Sequence, residues 1–121
     1  MTIEEAVKRY LDDELYHDVH WIAAPKDAPY PRYVLNFIGP SRLYDTGLRR
    51  VRLQVSVYDT DRYRALELRE SVYDILQRFK GYMRDVSIIF AGYDTGNDMY
   101  EMDTRVYHLT TDYMITYRGD D

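Results

Sequence analysis

The chain contains no cysteine. That excludes a disulfide scaffold, a thiolate-ligated metal site and thiol catalysis, and it leaves the compartment open. No stretch approaches the roughly eighteen consecutive apolar residues of a membrane span. The start of the chain carries Glu4 and Glu5 where a secretory signal would have a basic flank and an apolar run, so it does not read as one. A basic block is also missing. The formal net charge is −5, and the arginines of RYRALELRESVYDILQRFK are separated by acidic residues. Nucleic-acid binding needs a concentrated positive surface to release counterions from phosphate, and none is expected here. No glycine-rich phosphate loop is present, so the P-loop nucleotide chemistry has no foothold.

What is present reads as one globular domain, residues 1–121. A length of 121 residues with 45% hydrophobic content supports a single modest core. Tyrosine is unusually frequent, with 14 copies against three phenylalanines and one tryptophan. An apolar ring with a polar end suits half-buried strands and subunit interfaces, so the count leans towards a protein that assembles.

Thr2-Ile3-Glu4-Glu5 has the spacing of a capping box, and Ile3, Val7, Tyr10 and Leu11 form the stripe of a helix reaching about Leu15. A short strand is expected within His17 to Ala24, with Val19 and Trp21 on one side. APKDAPYPR then places three prolines within seven residues and ends regular structure. YVLNFI, residues 33 to 38, reads as a strand closed by Gly39-Pro40. VRLQVSVY, residues 51 to 58, alternates cleanly: Val51, Leu53, Val55 and Val57 face one side, Arg52, Gln54, Ser56 and Tyr58 the other. Asp59-Thr60-Asp61 suits the start of a helix running to about Phe79, with Ala65, Leu68, Val72, Ile75 and Phe79 inward and Gly81 as its stop. Leu66, Tyr73 and Leu76 widen that stripe enough to touch a second surface. Strands at 86–91 and 107–117 complete an α+β domain in the order α-β-β-β-α-β-β. Its sheet is mainly antiparallel, four- to five-stranded, with two helices packed on one face. Residues 97–106 can prolong the last two strands into a hairpin arm.

The word Tyr-Asp-Thr-Gly occurs twice, at 44–47 and 93–96. Asp-Thr-Gly is also the active-site tripeptide of aspartic proteases, in which two carboxylates share a proton. There an apolar strand runs straight into the aspartate. Here Ser41-Arg42-Leu43-Tyr44 and Gly92-Tyr93 precede the two copies, and a third Tyr-Asp-Thr at 58–60 lacks the glycine. Turn chemistry explains both copies better, because aspartate accepts nearby backbone N–H groups and glycine tolerates positive φ. Asp45 and Asp94 are therefore taken as loop positions. His17 and His20 lie three apart near Asp12, Asp13, Glu14 and Asp18, but the segment is leaving a helix and no third ligand is specified, so surface histidines are expected. His108 stands alone. No catalytic, cofactor or metal residue is assigned. An acid/base enzyme built from scattered Asp and Glu stays open, since spacing cannot place them across a cleft.

Longer patterns add a resemblance. YPRYVLNFIG, LRRVRLQVSVYDTDRYRALELRESVYDIL and MYEMDTRVYHLTTDYMITYR, in that order, resemble the tail terminator (tail completion) proteins of long-tailed bacteriophages. Pro31-Arg32-Tyr33-Val34 looks like the family's proline-led first sheet strand. Tyr100-Glu101-Met102-Asp103-Thr104 is similar to its Y-E-P-D-T hairpin, with methionine in place of proline. The resemblance implies a homo-hexameric ring, needing no cofactor, that caps the tail tube and ends its growth. It would offer a surface to the head-side connector protein. Its partners would be itself, the tail tube protein and that connector, with no nucleic acid or membrane bound directly. Its place would be the head-proximal end of the tail in the virion, and the host cytoplasm during assembly. Arg49, Arg50, Arg52, Gln54, Tyr58, Arg69, Tyr100, Glu101, Asp103 and Arg105 are the interface candidates, with Asp45 and Asp94 as loops lining the opening or touching the tube. A head–tail connector or neck subunit is the nearest alternative, followed by a small enzyme using the Asp-rich loops.

Overall fold

The computed structural model describes residues 1–43 and 47–119, with 40–43 described by their backbone alone. Helix α1 spans Ile3–Leu15 and begins as a capping box should: the Thr2 side chain accepts the Glu5 N–H at 3.1 Å. It ends at Tyr16, which adopts the left-handed conformation. Strand β1 (Val19–Trp21) follows, then β2 (Arg32–Leu43) and β3 (Leu48–Asp59). Helix α2 runs from Arg62 to Leu76 and is capped by Asp61, whose carboxylate accepts the N–H groups of Tyr63 and Arg64 at 2.9 and 3.2 Å. Strands β4 (Phe79–Met83), β5 (Val86–Glu101) and β6 (Val106–Arg118) finish the chain.

The six strands form one sheet in the order β1-β2-β3-β6-β5-β4. Only β1 pairs in parallel; every other neighbour is antiparallel. The sheet is thus mixed, and larger than the four to five strands expected. The unexpected strand is β4. The apolar steps that suggested a helix reaching Phe79 actually continue into a strand, because Gln77 turns extended and Arg78 takes a positive φ of 59°. Phe79 then packs edge-on against Tyr10 of α1, at 5.2 Å between ring centres. Gly81, expected as the helix stop, lies inside β4 at an irregular point in its pairing.

Two further expectations fail for a shared reason. Gly39-Pro40 does not close β2; the strand continues to Leu43 through a register shift between Ile38 and Arg42. The second Tyr-Asp-Thr-Gly is not a turn. It lies within β5, where Tyr93 faces Tyr113 and Thr95 faces Asp112, leaving Asp94 as the extra residue of a bulge. Bulges let a strand absorb residues that local chemistry would assign to turns. Of the first copy, Tyr44, Asp45 and Thr46 lie outside the described residues, and Gly47 has φ +79°.

The core lies on one face of the sheet. Val51, Leu53, Val55 and Val57 from β3 and Leu109, Thr111, Tyr113, Ile115 and Tyr117 from β6 are all buried, as their alternation requires. Ala6, Val7 and Leu11 of α1 and Ala65, Val72 and Leu76 of α2 join the same cluster. Leu66 packs onto this core and Tyr73 meets Tyr93 edge-on at 5.7 Å, so the wide stripe of α2 serves the one sheet and its β5 flank. Burying side chains of this size is worth about 1.5–3 kcal/mol each before entropy is charged against it.

The joint between β3 and α2 is fastened by charge. Asp59, the last residue of β3, is fully buried and accepts from the Arg64 guanidinium, with Nη2 at 2.7 Å, and from the Asp61 N–H at 3.2 Å. Burial pushes its carboxyl upward, but hydrogen bonds from Arg64, Asp61 and Thr60 outweigh that and hold it below its ordinary range.

Candidate interaction surface

The helices leave the other face of the sheet uncovered. Cross-strand register arranges it in rows from β2 to β5: Arg32, Tyr58, His108 and Met99; then Val34, Ser56, Thr110 and Asn97; then Asn36, Gln54, Asp112 and Thr95; then Ile38, Arg52, Met114 and Gly92. In the second row Val34, Ser56 and Thr110 are buried, with Ser56 at 3% exposure and Thr110 at 8%, whereas Asn97 at its β5 end is exposed. Ile38, Phe90 and Met99 stand exposed around the polar rows.

At the centre lies an ion network. Arg52 donates through Nη1 to Asp94 and, at 3.4 Å, to Asp112; Gln54 Nε2 donates to the other oxygen of Asp112 at 3.2 Å. The β5 bulge is what brings Asp94 over Arg52, two strands away. Of the two Asp-Thr-Gly aspartates, Asp94 is engaged by the Arg52 guanidinium, whereas Asp45 lies outside the described residues.

Towards the hairpin end, Tyr58 and His108 stack, with ring centres 4.1 Å apart and planes 16° from parallel. Among the described residues, buried His108 Nε2 has no hydrogen-bond partner. Burial lowers its pKa, opposed by the nearby Glu101 carboxylate, so the neutral ring is favoured. Glu101 also accepts the Thr104 hydroxyl at 3.0 Å, and the turn closes with Arg105 N–H on Glu101 C=O at 2.7 Å.

The structure therefore gathers some candidates and scatters others. Arg52, Gln54 and Asp94 meet on the open face, and Arg50 is exposed two residues along the same strand. Tyr58 and Glu101 share the patch around His108. Arg69 lies on the opposite side, paired with Asp98 across a groove of about 590 Å³ between α2 and β5. Tyr100 packs on Tyr107 at 4.7 Å on that helix side. Asp103 and Arg105 occupy the hairpin turn, and Arg49 lies across Gly119 near the chain end. Asp45 lies outside the described residues. Asp112 and His108 were missed as members of the open face. Alternation in β6 already opposed them to Leu109 and Tyr113, but only the pairing of β6 with β3 sets them beside Arg52 and Tyr58. Among the described residues no group of three or more His, Asp or Glu is placed to hold a metal ion, and the groove's Asp98 is engaged by Arg69.

No protein-family model and no curated protein matches the chain. A solved structure does match: a chain from the virion of a native gene transfer agent particle superposes with a TM-score of 0.71. The match covers 97% of this chain and 95% of that one at 13% sequence identity. At that identity the match establishes a shared fold across essentially the whole length of both chains.

Proposed function

We propose that this chain is a non-enzymatic structural subunit of a phage or phage-like tail. Copies form a homo-hexameric ring that caps the tail tube, ends its polymerisation and presents the surface for head attachment. The observation that carries the reading is the end-to-end fold match to a virion chain of a gene transfer agent. The order of sequence patterns resembling tail terminators supports the same reading. The engagement of Asp94 and Asp112 by Arg52 supports the non-enzymatic side, since carboxylates tied to a guanidinium are poorly placed for acid/base work.

A cap must bind the tube end on one side and refuse further tube subunits on the other. A closed ring of copies related by rotation supplies two different faces for those tasks. The tyrosine-rich, charge-patterned exterior suits such contacts, with charged pairs setting orientation more than affinity.

The test is molar mass in solution by size-exclusion chromatography with light scattering, with and without tail-tube protein, beside a tube-polymerisation assay. A hexamer of the 14.5 kDa chain, alone or on tubes, together with arrested tube growth, is the expected result. A ring that ignores tubes and binds a portal-side complex would instead identify a head–tail connector. A strict monomer in both conditions would overturn the ring.

A further inference from the structure

The sheet has two open edges, and they lie at diagonally opposite corners. On one side β1 covers β2 only from Tyr33 to Leu35, so among the described residues nothing pairs with the outer edge of β2 beyond that point. On the other side β4 covers β5 only as far as Ala91. The first free N–H of β5, that of Tyr93, is taken by the Gln77 side chain at 2.7 Å. Past the Asp94 bulge, Thr95 to Glu101 is a regular run, paired with β6 on one side and, among the described residues, with no strand on the other. A row of unpaired backbone groups on an exposed strand is a template for another strand.

We infer that the outer edge of β5 from Thr95 to Glu101 pairs with the outer edge of β2, from Asn36 onward, of a second copy of this chain. The inference deepens the ring reading above and rests on it.

Three observations select this occupant. The first is direction. β2 is antiparallel to β3, β3 to β6 and β6 to β5, so β5 and β2 of copies repeated in the same orientation meet antiparallel, the stronger ladder. The second is charge. Residues 95–103 contain Asp98, Glu101 and Asp103 and no basic residue, whereas the free β2 segment 36–43 has Arg42 as its single charge, with Arg49 and Arg50 opposite it on β3. An acidic edge meets a basic one in the heterologous contact. Two copies of β5 facing each other would instead bring like charges together. The third is position. Gly92 is level with Ile38 and Met99 with Arg32, so the free part of β5 lies beside the end of the sheet that β1 closes. Joining free edge to free edge slides each copy along its strands by about half a dozen residues, or ~20 Å. A stagger of one sign at every contact becomes strand tilt when a ring closes, as in a β-barrel. The contact is head-to-tail and uses two different surfaces, as cyclic closure requires.

The test compares amide hydrogen exchange in the assembled ring and in free subunits. Exchange across 95–101 and 36–43 should slow by about tenfold or more on assembly, while the covered stretch 33–35 changes little. The cysteine-free background permits a second readout. Asn97→Cys combined with Asn36→Cys or with Ile38→Cys should form intersubunit disulfides giving a ladder of multiples under oxidation. All three positions lie on the open face of folded strands, so the variants should fold. A ring of the expected mass with neither slowed exchange over 95–101 nor a disulfide ladder would overturn the edge contact and leave the ring reading standing. A monomer both alone and with tubes would overturn both.

Discussion

The face of the sheet under the two helices and the face turned away from them are made by the same strands, residue by alternating residue. Under the helices Leu53, Val55, Tyr113 and Ile115 are 0–1% exposed and surrounded by apolar neighbours. One residue away along each strand, Arg52, Gln54, Asp112 and Met114 keep partial exposure and, for the first three, a shared network of charge and hydrogen bonds. The covered face holds the subunit together through area removed from water. The open face instead presents polar and charged groups, so the pleat of a strand separates an apolar wall from a polar one.

The largest effect expected from this division is on Val55. Val55→Asp places a carboxylate in the core wall and should cost at least about 4 kcal/mol, enough to abolish cooperative thermal unfolding followed by circular dichroism. Its neighbour Gln54→Ala loses one part-exposed hydrogen bond and should cost about 1 kcal/mol. Equal losses at the two positions would erase the distinction between the faces. Asp59→Ala comes next. It leaves the Arg64 guanidinium and the Asp61 N–H without their buried acceptor, and denaturant melts should show a loss of about 2 kcal/mol.

A smaller effect sharpens the comparison on the open face, where half-buried His108 keeps its Nε2 away from solvent. Its folded pKa is lowered, so the unfolded chain binds the proton more readily. The stability from keeping the ring neutral is fully present above the unfolded pKa of about 6.5 and declines as pH falls through that value towards the folded one. His108→Phe should flatten that slope in a series of melts across mildly acidic pH. An unchanged slope would mean the ring is solvated. Asp59 acts on a lower window: its stabilisation is present above the unfolded carboxylate range near 3.9 and is lost as pH falls through the depressed folded value. The smallest effect is expected from Asp94→Asn, below about 0.5 kcal/mol, because the residue is exposed and Arg52 keeps Asp112. Neither this variant nor its parent should hydrolyse peptide substrates; activity in the parent lost in Asp94→Asn would restore the catalytic reading.

Strand β3 was legible residue by residue because its alternation is strict and both faces have consistent chemistry. The caps at Thr2 and Asp61 were legible because a capping oxygen acts within three residues. Strand β4 was not. Phe79 continues the i, i+3, i+4 apolar steps of α2, and only its packing on Tyr10 shows that it belongs to a strand. Asp94 misled in the same manner: Asp-Thr-Gly is good turn chemistry, but pairing with β6 along both flanks outweighs it and turns the surplus residue into a bulge. Of the open-face network, Arg52 and Gln54 were readable from alternation, whereas their partners Asp94 and Asp112 lie 42 and 60 residues from Arg52 along the chain.

By itself, the sequence determined what short-range physics governs: the helix starts, the two-residue alternation that makes one face of the sheet a core, and the absence of thiols and basic clusters. The tertiary structure alone decided the strand order, the bulge that carries Asp94 over Arg52, and the two open edges at opposite corners. Those depend on which strands pair and in which register, and pairing is settled by burial and hydrogen bonding summed over many distant residues, which no local window contains.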